Sequence, residues 1–400
     1  MTIRVGLIGQ GFVATTLAVG LERIKYGKIP PYGVPFQDLL SYKISDIEIT
    51  ASHDIDEEKV NKTLYEVAKI YFPTLDIPDT LSKIRVHQGI HLSSVKDLPI
   101  KACGLEETMS IERAIERIVS DWEKAQVDVV LNLITTEHTG LLNSFKELEA
   151  KIRSNEVKKL PATYAYFYAA TLYASTVKPL VFVNAIPATV ANNTALVSKA
   201  IESRVLIVGD DGASGATPLT SDLLEHLAER NRHVRSIVQF NIGGNMDFLA
   251  LTNPIRNIAK ETTKSSIVED ILGYNAPHYI KPTGYVETLG DKKFVSMHVE
   301  YISFNGAIDE IVINMRINDS PALAGLLVDV IRIGKIALDN EEYGTVYPIN
   351  AFFMKNPGPR EGKSISRIVA YQLLIDWLLE HGALKEVPRY SVSTLKKILK

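Results

Sequence analysis

Short apolar runs alternate with stretches of helical spacing through the first half of the chain. Residues 3 to 8, IRVGLI, read as a buried strand, and Thr15 to Ile24 continues with the period of a helix. Ile47 to Ser52 reads as the second strand and Glu57 to Tyr71 as a helix. Residues 73 to 110 are poorly periodic, with one strand candidate at Ile84 to His87. Ile111 to Gln126 is a clear amphipathic helix, and Val127 to Ile134 is a continuous apolar run of the kind that parallel sheets bury on both faces. Tyr164 to Val177 (helix), Pro179 to Asn184 (strand), Ala191 to Glu202 (helix), Val205 to Val208 (strand) and Leu219 to Asn231 (helix) repeat the alternation. The pattern then changes. A strand at Ile237 to Phe240 breaks at Gly243 and Gly244, a helix runs on to Leu272, and Phe294 to Phe304 and Ile308 to Ile317 flank the hairpin signal Asn305-Gly306. Ala322 to Asp339 and Ile365 to Leu379 read as long apolar helices, and Ser391 to Lys400 as a basic amphipathic turn or helix.

This order predicts an α/β fold, a doubly wound parallel sheet interrupted by a strand-rich insert. The expected boundaries are 1–240, 241–318 and 319–400. A chain of 400 residues suits about two domains. Its 46% hydrophobic and 23% charged residues describe a soluble globular protein. A net charge of -3 gives no electrostatic case for nucleic acid or anionic membrane. The single cysteine, Cys103, excludes an intramolecular disulfide, and no metal-ligand cluster shows. The N-terminus lacks the pattern of a signal peptide, and Tyr164 to Val177 is too short to span a bilayer. A cytoplasmic protein is the expectation.

The chemistry begins at the first turn. Gly9, Gln10, Gly11, Phe12, Val13 and Ala14 form G-x-G-x-x-A between a strand and a helix, the context a dinucleotide-binding turn requires. Glycines let the backbone approach a pyrophosphate, and amides at the helix N-terminus stabilise its charge. The fold is therefore expected to be Rossmann-type. An acidic residue usually follows about twenty residues later, but KIPPYGVPF, Lys28 to Phe36, holds three prolines there and reads as an insertion. Asp54, after the second strand, is the choice for the adenosine ribose and favours NAD over NADP; the alternative is a helix cap before Glu57.

The stretch from Gln239 to Ser266, QFNIGGNMDFLALTNPIRNIAKETTKSS, gathers a glycine turn, amides, a carboxylate and two lysines four residues apart. Asn245 or Asp247 can cap a helix, and Lys260 and Lys264 share one helical face. The spacing alone also suits a solvated helix. With its N-x-x-G-N-x-D and K-x-x-x-K-[ST] blocks, however, the stretch resembles the core motif of the myo-inositol-phosphate synthases. Asn241, Gly244, Asn245, Asp247, Lys260 and Lys264 match in type and spacing. Gly209 to Thr217 resembles the family's G-D-D-x-x-S-G-x-T loop, although Ala213 stands where many members have lysine.

The resemblance implies the conversion of glucose 6-phosphate to 1L-myo-inositol 1-phosphate, with NAD recycled within one turnover. It places Ser214 and Gly215 on the substrate phosphate and Asp211 near the nicotinamide. It puts Asn184 and Pro187, in VNAIP, beside the same ring, where the plain reading is a strand-end turn. It implies substrate contacts from Asn241, Asn245 and Asp247. Catalytic roles are implied for Lys260 (base, then acid, at carbon 5), Lys264 (phosphate), and Lys293 and Lys355 (developing oxyanions). Asp291, from the G-D-x-K segment, and Asp319, from the D-S pair, complete the set. It further implies a homotetramer built through the inserted domain, and an activating cation beside the phosphate is consistent with it. Two alternatives stand beside this reading: a related NAD enzyme acting on another sugar phosphate, motivated by Ala213 and the insertion, and a non-catalytic NAD-binding regulator.

Overall fold

The computed structural model describes residues 1–400 other than 93, 96, 97, 138, 159, 360, 361, 387 and 389–400; for 258–266 it describes the backbone alone. The tail expectation, Ser391 to Lys400, lies outside the described residues. Seven strands form the central sheet: β1 (Ile3–Ile8), β2 (Ile47–Asp54), β3 (Val86–Gln88), β4 (Val129–Asn132), β5 (Leu180–Asn184), β6 (Val205–Gly209) and β11 (Gly344–Thr345). Their order is β11-β6-β5-β4-β1-β2-β3, and every pairing is parallel. Parallel strands need crossovers, and these put helices on both faces. The residues of β4, β5 and β6 are accordingly buried throughout.

One face is covered by α1 (Phe12–Lys25), α10 (Asp319–Asp339) and α12 (Arg367–Glu380), whose Leu17, Leu21, Ile331 and Leu374 share a core with Val5 and Leu7. The other is covered by α3 (Ile111–Ala125), α5 (Ala162–Thr176) and α6 (Thr194–Ser203), where Ile115, Tyr166 and Leu196 pack on Val130 and Phe182. Alternate residues of one strand thus feed two cores, as the pleat requires. The remaining helices of this part are α2 (Leu64–Tyr71), α4 (Phe145–Arg153), α7 (Thr217–Ala228) and α11 (Tyr347–Phe353).

A second sheet has the order β10-β9-β7-β8, from β7 (His233–Gly243), β8 (His278–Tyr285), β9 (Lys292–Ile302) and β10 (Ile308–Asn318). β7 runs parallel to β8 and antiparallel to β9, so the sheet is mixed. Leu224 and Leu227 of α7 and Ile267 and Val268 of α9 (Pro254–Leu272) bury one face against Met297 and Val299. The opposite face is open, with Phe240, Tyr279 and Val312 exposed. Asn305 and Gly306 make the hairpin turn with positive φ, as their types allow. β8 lies outside the expected strands, and its Pro282 is tolerated because the strand is on an edge.

Other boundaries differ for identifiable reasons. The helix expected from Glu57 starts at Leu64, because Thr63 and Glu66 form a capping box there. The strand expected at Ile237 to Phe240 is eleven residues long, since exposed polar positions alternate at its start. The long helix expected from Ala322 begins at Asp319, with Asn318 as its N-cap residue. The proline-rich insertion forms no strand. It is held by α10, where buried Asp329 accepts from the Phe36 amide at 2.7 Å and buried Arg332 donates to the Gln37 and Tyr42 carbonyls.

Candidate active site

The order of the central sheet reverses between β1 and β4, and open α/β sheets bind ligands at the carboxyl ends of the strands at such a point. Two cavities meet there. The first, of about 470 Å³, is lined by Gly9, Gly11 and Phe12 from the glycine turn, Asp54, Asp56 and Lys59 after β2, Tyr166, and the Asn245-Met246 and Gly290-Asp291 turns of the second sheet. The second, of about 170 Å³, shares Gly11, Phe12, Leu133 to Thr135, Asn245 and Met246, and continues over Asp211, Ser214, Lys293, Asp319 and Lys355.

The first cavity suits a dinucleotide. Gly9 has φ +87°, and a Cβ there would meet Leu133 O at 2.8 Å, so glycine is required by the backbone. A Cβ at Gly11 meets no protein atom within 4 Å, which leaves its surface open to a close-approaching group at the start of α1. Asp54 Oδ2 accepts from the Gln10 amide at 2.6 Å, and Oδ1 accepts from the Ile55 and Asp56 amides at 2.7 and 2.9 Å. The carboxylate is thus fixed across the end of β2 beside the glycine turn, and it caps no helix. Phe12 packs edge-on against Tyr71 and Phe72, closing this side.

In the second cavity the segment after α11 aims one lysine. Asp211 and the 353–356 segment bond backbone to backbone, Lys355 N donating to Asp211 O at 2.6 Å and Ala213 N to Phe353 O at 2.8 Å. Lys355 Nζ then donates to Asp211 Oδ1 at 2.9 Å. Opposite, Lys293 Nζ lies 3.2 Å from Asp319 Oδ1 and over the ring of Phe248 at 5.6 Å. Gly215, with φ +71°, lets the 214–217 loop run against this lysine; a Cβ there would meet Lys293 Nζ at 2.6 Å. The Lys293 ammonium faces the loop that leads into α7, and Ser214 and Thr217 share the cavity wall with both lysines. This is an anion-friendly corner made of hydroxyls, amides at a helix start and two buried ammonium groups.

Asn241 and Asp247 also line the second cavity. Asn241 Nδ2 donates to Lys281 O at 2.9 Å, and Asp247 accepts from Thr136 Oγ1 at 2.6 Å, joining the second sheet's turn to the loop after β4. Asn245, not Asp247, caps α8 (Met246–Ala250), and its amide donates to Asp291 Oδ1 at 3.2 Å.

Some sequence-predicted residues lie elsewhere. Asp291 lines the first cavity and accepts from both the amide and the hydroxyl of Ser320, at 2.9 and 2.7 Å, fixing the start of α10. Burial raises its carboxyl above the usual range, partly offset by Ser320 and Asn245. Asn184 is fully buried behind the wall. It donates to the Ile186 and Ala188 carbonyls and to Asp210 Oδ1, so it shapes the turn whose Ala185 and Ile186 form the lining. Ala213 is buried and does not line the cavity, although its neighbours Gly212 and Ser214 do. Lys260 and Lys264 lie on α9, and their side chains fall outside the described part.

Three further residues support the site, and of these only Asp210, in the G-D-D block, carried a sequence signal. Arg256 donates to Thr136 O at 2.6 Å and to Ser94 O, tying the start of α9 to loops of the central sheet. Asp210 accepts from Asn184, Asn192 and the Val190 to Asn192 amides beneath Asp211. Lys59 stands beside Asp54. All three are brought in by tertiary folding. Among the described residues, no group of three or more His, Cys, Asp or Glu could hold a metal ion, and no helix is long and apolar enough to cross a membrane.

Comparison with known proteins agrees with this geometry. The family model for myo-inositol-1-phosphate synthase matches residues 215–320. The crystal structure of a myo-inositol-1-phosphate synthase-related protein from Thermotoga maritima is 52% identical, covers 94% of this chain and 98% of its own, and superposes with a TM-score of 0.89. The inositol-3-phosphate synthase of Corynebacterium glutamicum is 28% identical over 92% of this chain and 96% of its own. The Caenorhabditis elegans inositol-3-phosphate synthase, 18% identical, shares the fold, with a TM-score of 0.81 over 100% of this chain and 88% of its own. The chain belongs to the myo-inositol-1-phosphate synthase family.

Proposed function

We propose that the chain is an NAD-dependent isomerase converting glucose 6-phosphate to 1L-myo-inositol 1-phosphate in the cytoplasm. The observation that carries this reading is one cavity uniting the glycine turn with Asp211, Ser214, Lys293, Asp319 and Lys355. NAD, when bound, supplies the hydride acceptor for carbon 5 and returns the hydride to the cyclised ketone. Gly9, Gly11, Phe12, Val13, Ala14 and Asp54 would hold it.

The protein's own groups do the rest. Lys260 takes the carbon 5 hydroxyl proton and returns it at the end. Oxidation acidifies the carbon 6 hydrogen; its transfer as a proton to the substrate's own phosphate dianion gives an enolate, and carbon 6 attacks the carbon 1 aldehyde to give an alkoxide, which takes a proton back to become the hydroxyl. Lys293 and Lys355 stabilise these oxyanions, and ammonium groups held away from water are far more effective there than in solvent. Asp211 and Asp319 orient the two ammonium groups in advance. Lys264, Ser214 and the Gly215 amide receive the phosphate, and an activating cation would sit beside it. Asn241, Asn245 and Asp247 position the sugar, while Asp291 acts through Asn245 and Ser320.

The divisions 1–240, 241–318 and 319–400 are kept as part of this proposal, the middle segment supplying Asn241, Asn245, Asp247 and Lys293 to the cavity wall, although the second sheet already begins with β7 at His233. Glucose 6-phosphate deuterated at carbon 5 tests the hydride cycle. The label is expected to remain in the inositol phosphate, whereas its loss to solvent would contradict a single enclosed oxidation and reduction.

A further inference from the structure

The adenosine end of the larger cavity holds a charge that the glycine turn and its acidic partner do not account for. Lys59 lies in the turn between β2 and α2, yet its Nζ reaches back to 3.6 Å from Asp54 Oδ2 and 3.3 Å from Asp56 Oδ2. It also sits 5.9 Å from the centroid of the Tyr71 ring, and its side chain is only 15% exposed. Asp54, Asp56, Lys59 and Tyr71 all line the cavity. Burial lowers the pKa of this ammonium, but Asp54, Tyr71 and Asp56 outweigh it and hold the pKa above the ordinary lysine value.

A carboxylate at the end of the second strand accepts from the ribose 2′-hydroxyl and repels a 2′-phosphate, while a cation at the same place accommodates that phosphate. Here both charges are present. Asp54 Oδ1 is occupied by two amides and Oδ2 by one, so the remaining acceptor direction of Oδ2 lies beside the Lys59 ammonium.

We propose that Lys59 sets how strongly this protein discriminates NAD from NADP: its ammonium stands where a ribose 2′-phosphate arrives and offsets the repulsion from Asp54. The inference rests on reading this cavity as the dinucleotide site. Without the ammonium, Asp54 and Asp56 face the phosphate uncompensated. Without the Asp54 charge, Lys59 keeps only Asp56 as a carboxylate partner and pairs more strongly with the phosphate.

The test is calorimetric titration of the full-length protein with NAD and with NADP separately, each variant first checked for folding by circular dichroism. Lys59→Met is expected to weaken NADP at least tenfold and NAD less than threefold, whereas Lys59→Arg keeps the NADP affinity. Asp54→Asn, which retains an acceptor for the loop amides, is expected to strengthen NADP at least tenfold, and Asp54→Asn/Lys59→Met loses that gain. Equal weakening of both dinucleotides by Lys59→Met, or a gain in Asp54→Asn that survives loss of Lys59, overturns the proposal and leaves the cofactor site intact. Failure of the unaltered protein to bind either dinucleotide overturns the cofactor reading and this inference together.

Discussion

Lys355 Nζ donates to Asp211 Oδ1 at 2.9 Å, with the two side chains only 7% and 2% exposed. The same residues are joined through their backbones, so the pair fixes both the wall of the cavity and the charge inside it. Breaking a buried pair leaves a desolvated charge, which costs about 3 kcal/mol or more. Lys355→Met and Asp211→Asn are each expected to lose stability of that order in urea unfolding. The double variant is expected to recover part of the loss while remaining inactive. Additive losses would mean that the two groups do not interact.

Asp210 supplies a pH dependence with an unusual sign. Burial pushes its carboxyl up to about 6, partly offset by Asn184, Asn192 and the loop amides. Between the unfolded value and about pH 6 the folded chain retains a proton that the unfolded chain has lost. Stability from this group therefore falls as pH rises through that window and then levels off. Denaturant titrations at pH 4.5 and 7 are expected to differ by about 2 kcal/mol more in the unaltered protein than in Asp210→Asn. Equal pH dependence in the two proteins would contradict the assignment.

The open face of the second sheet bears Phe240 on β7 and Tyr279 on the adjacent β8, at 43% exposure each, and Val312 on β10, beyond β9, at 62%. Exposed apolar residues on a sheet face suit association with another chain. A homotetramer formed through it is the expected assembly. Light scattering is expected to give four chains for the unaltered protein and a smaller species for Phe240→Asp. A monomer in the unaltered protein would remove the proposal.

The sequence made β1 to β6 legible because buried strands are apolar runs and the helices keep a clean period, whereas β11, only Gly344 and Thr345, carries no such pattern. The glycine turn and Asp54 were legible for the same reason: strand, turn and helix are local. Lys293, Lys355, Ser214 and Asp319 were found through family blocks, since nothing local distinguishes a lysine before a proline from a solvated one. Asn184 shows the limit of such transfer, because a residue type at a strand end says nothing about which way its amide faces. Lys59 and Arg256 left no trace in the sequence. Each reaches its partners across a turn or between sheets, Arg256 bonding to Thr136, which lies 120 positions away. Pro282 lies within β8, which no expected strand covered, and is permitted because β8 lies at an edge.

The central claim is tested most directly by incubating the purified protein with glucose 6-phosphate and substoichiometric NAD and following the products by phosphorus NMR. An inositol monophosphate signal, without net NADH and abolished by Lys260→Ala, is the expected result. Stoichiometric NADH, or no product while NAD remains bound, would contradict it and direct attention to another sugar phosphate.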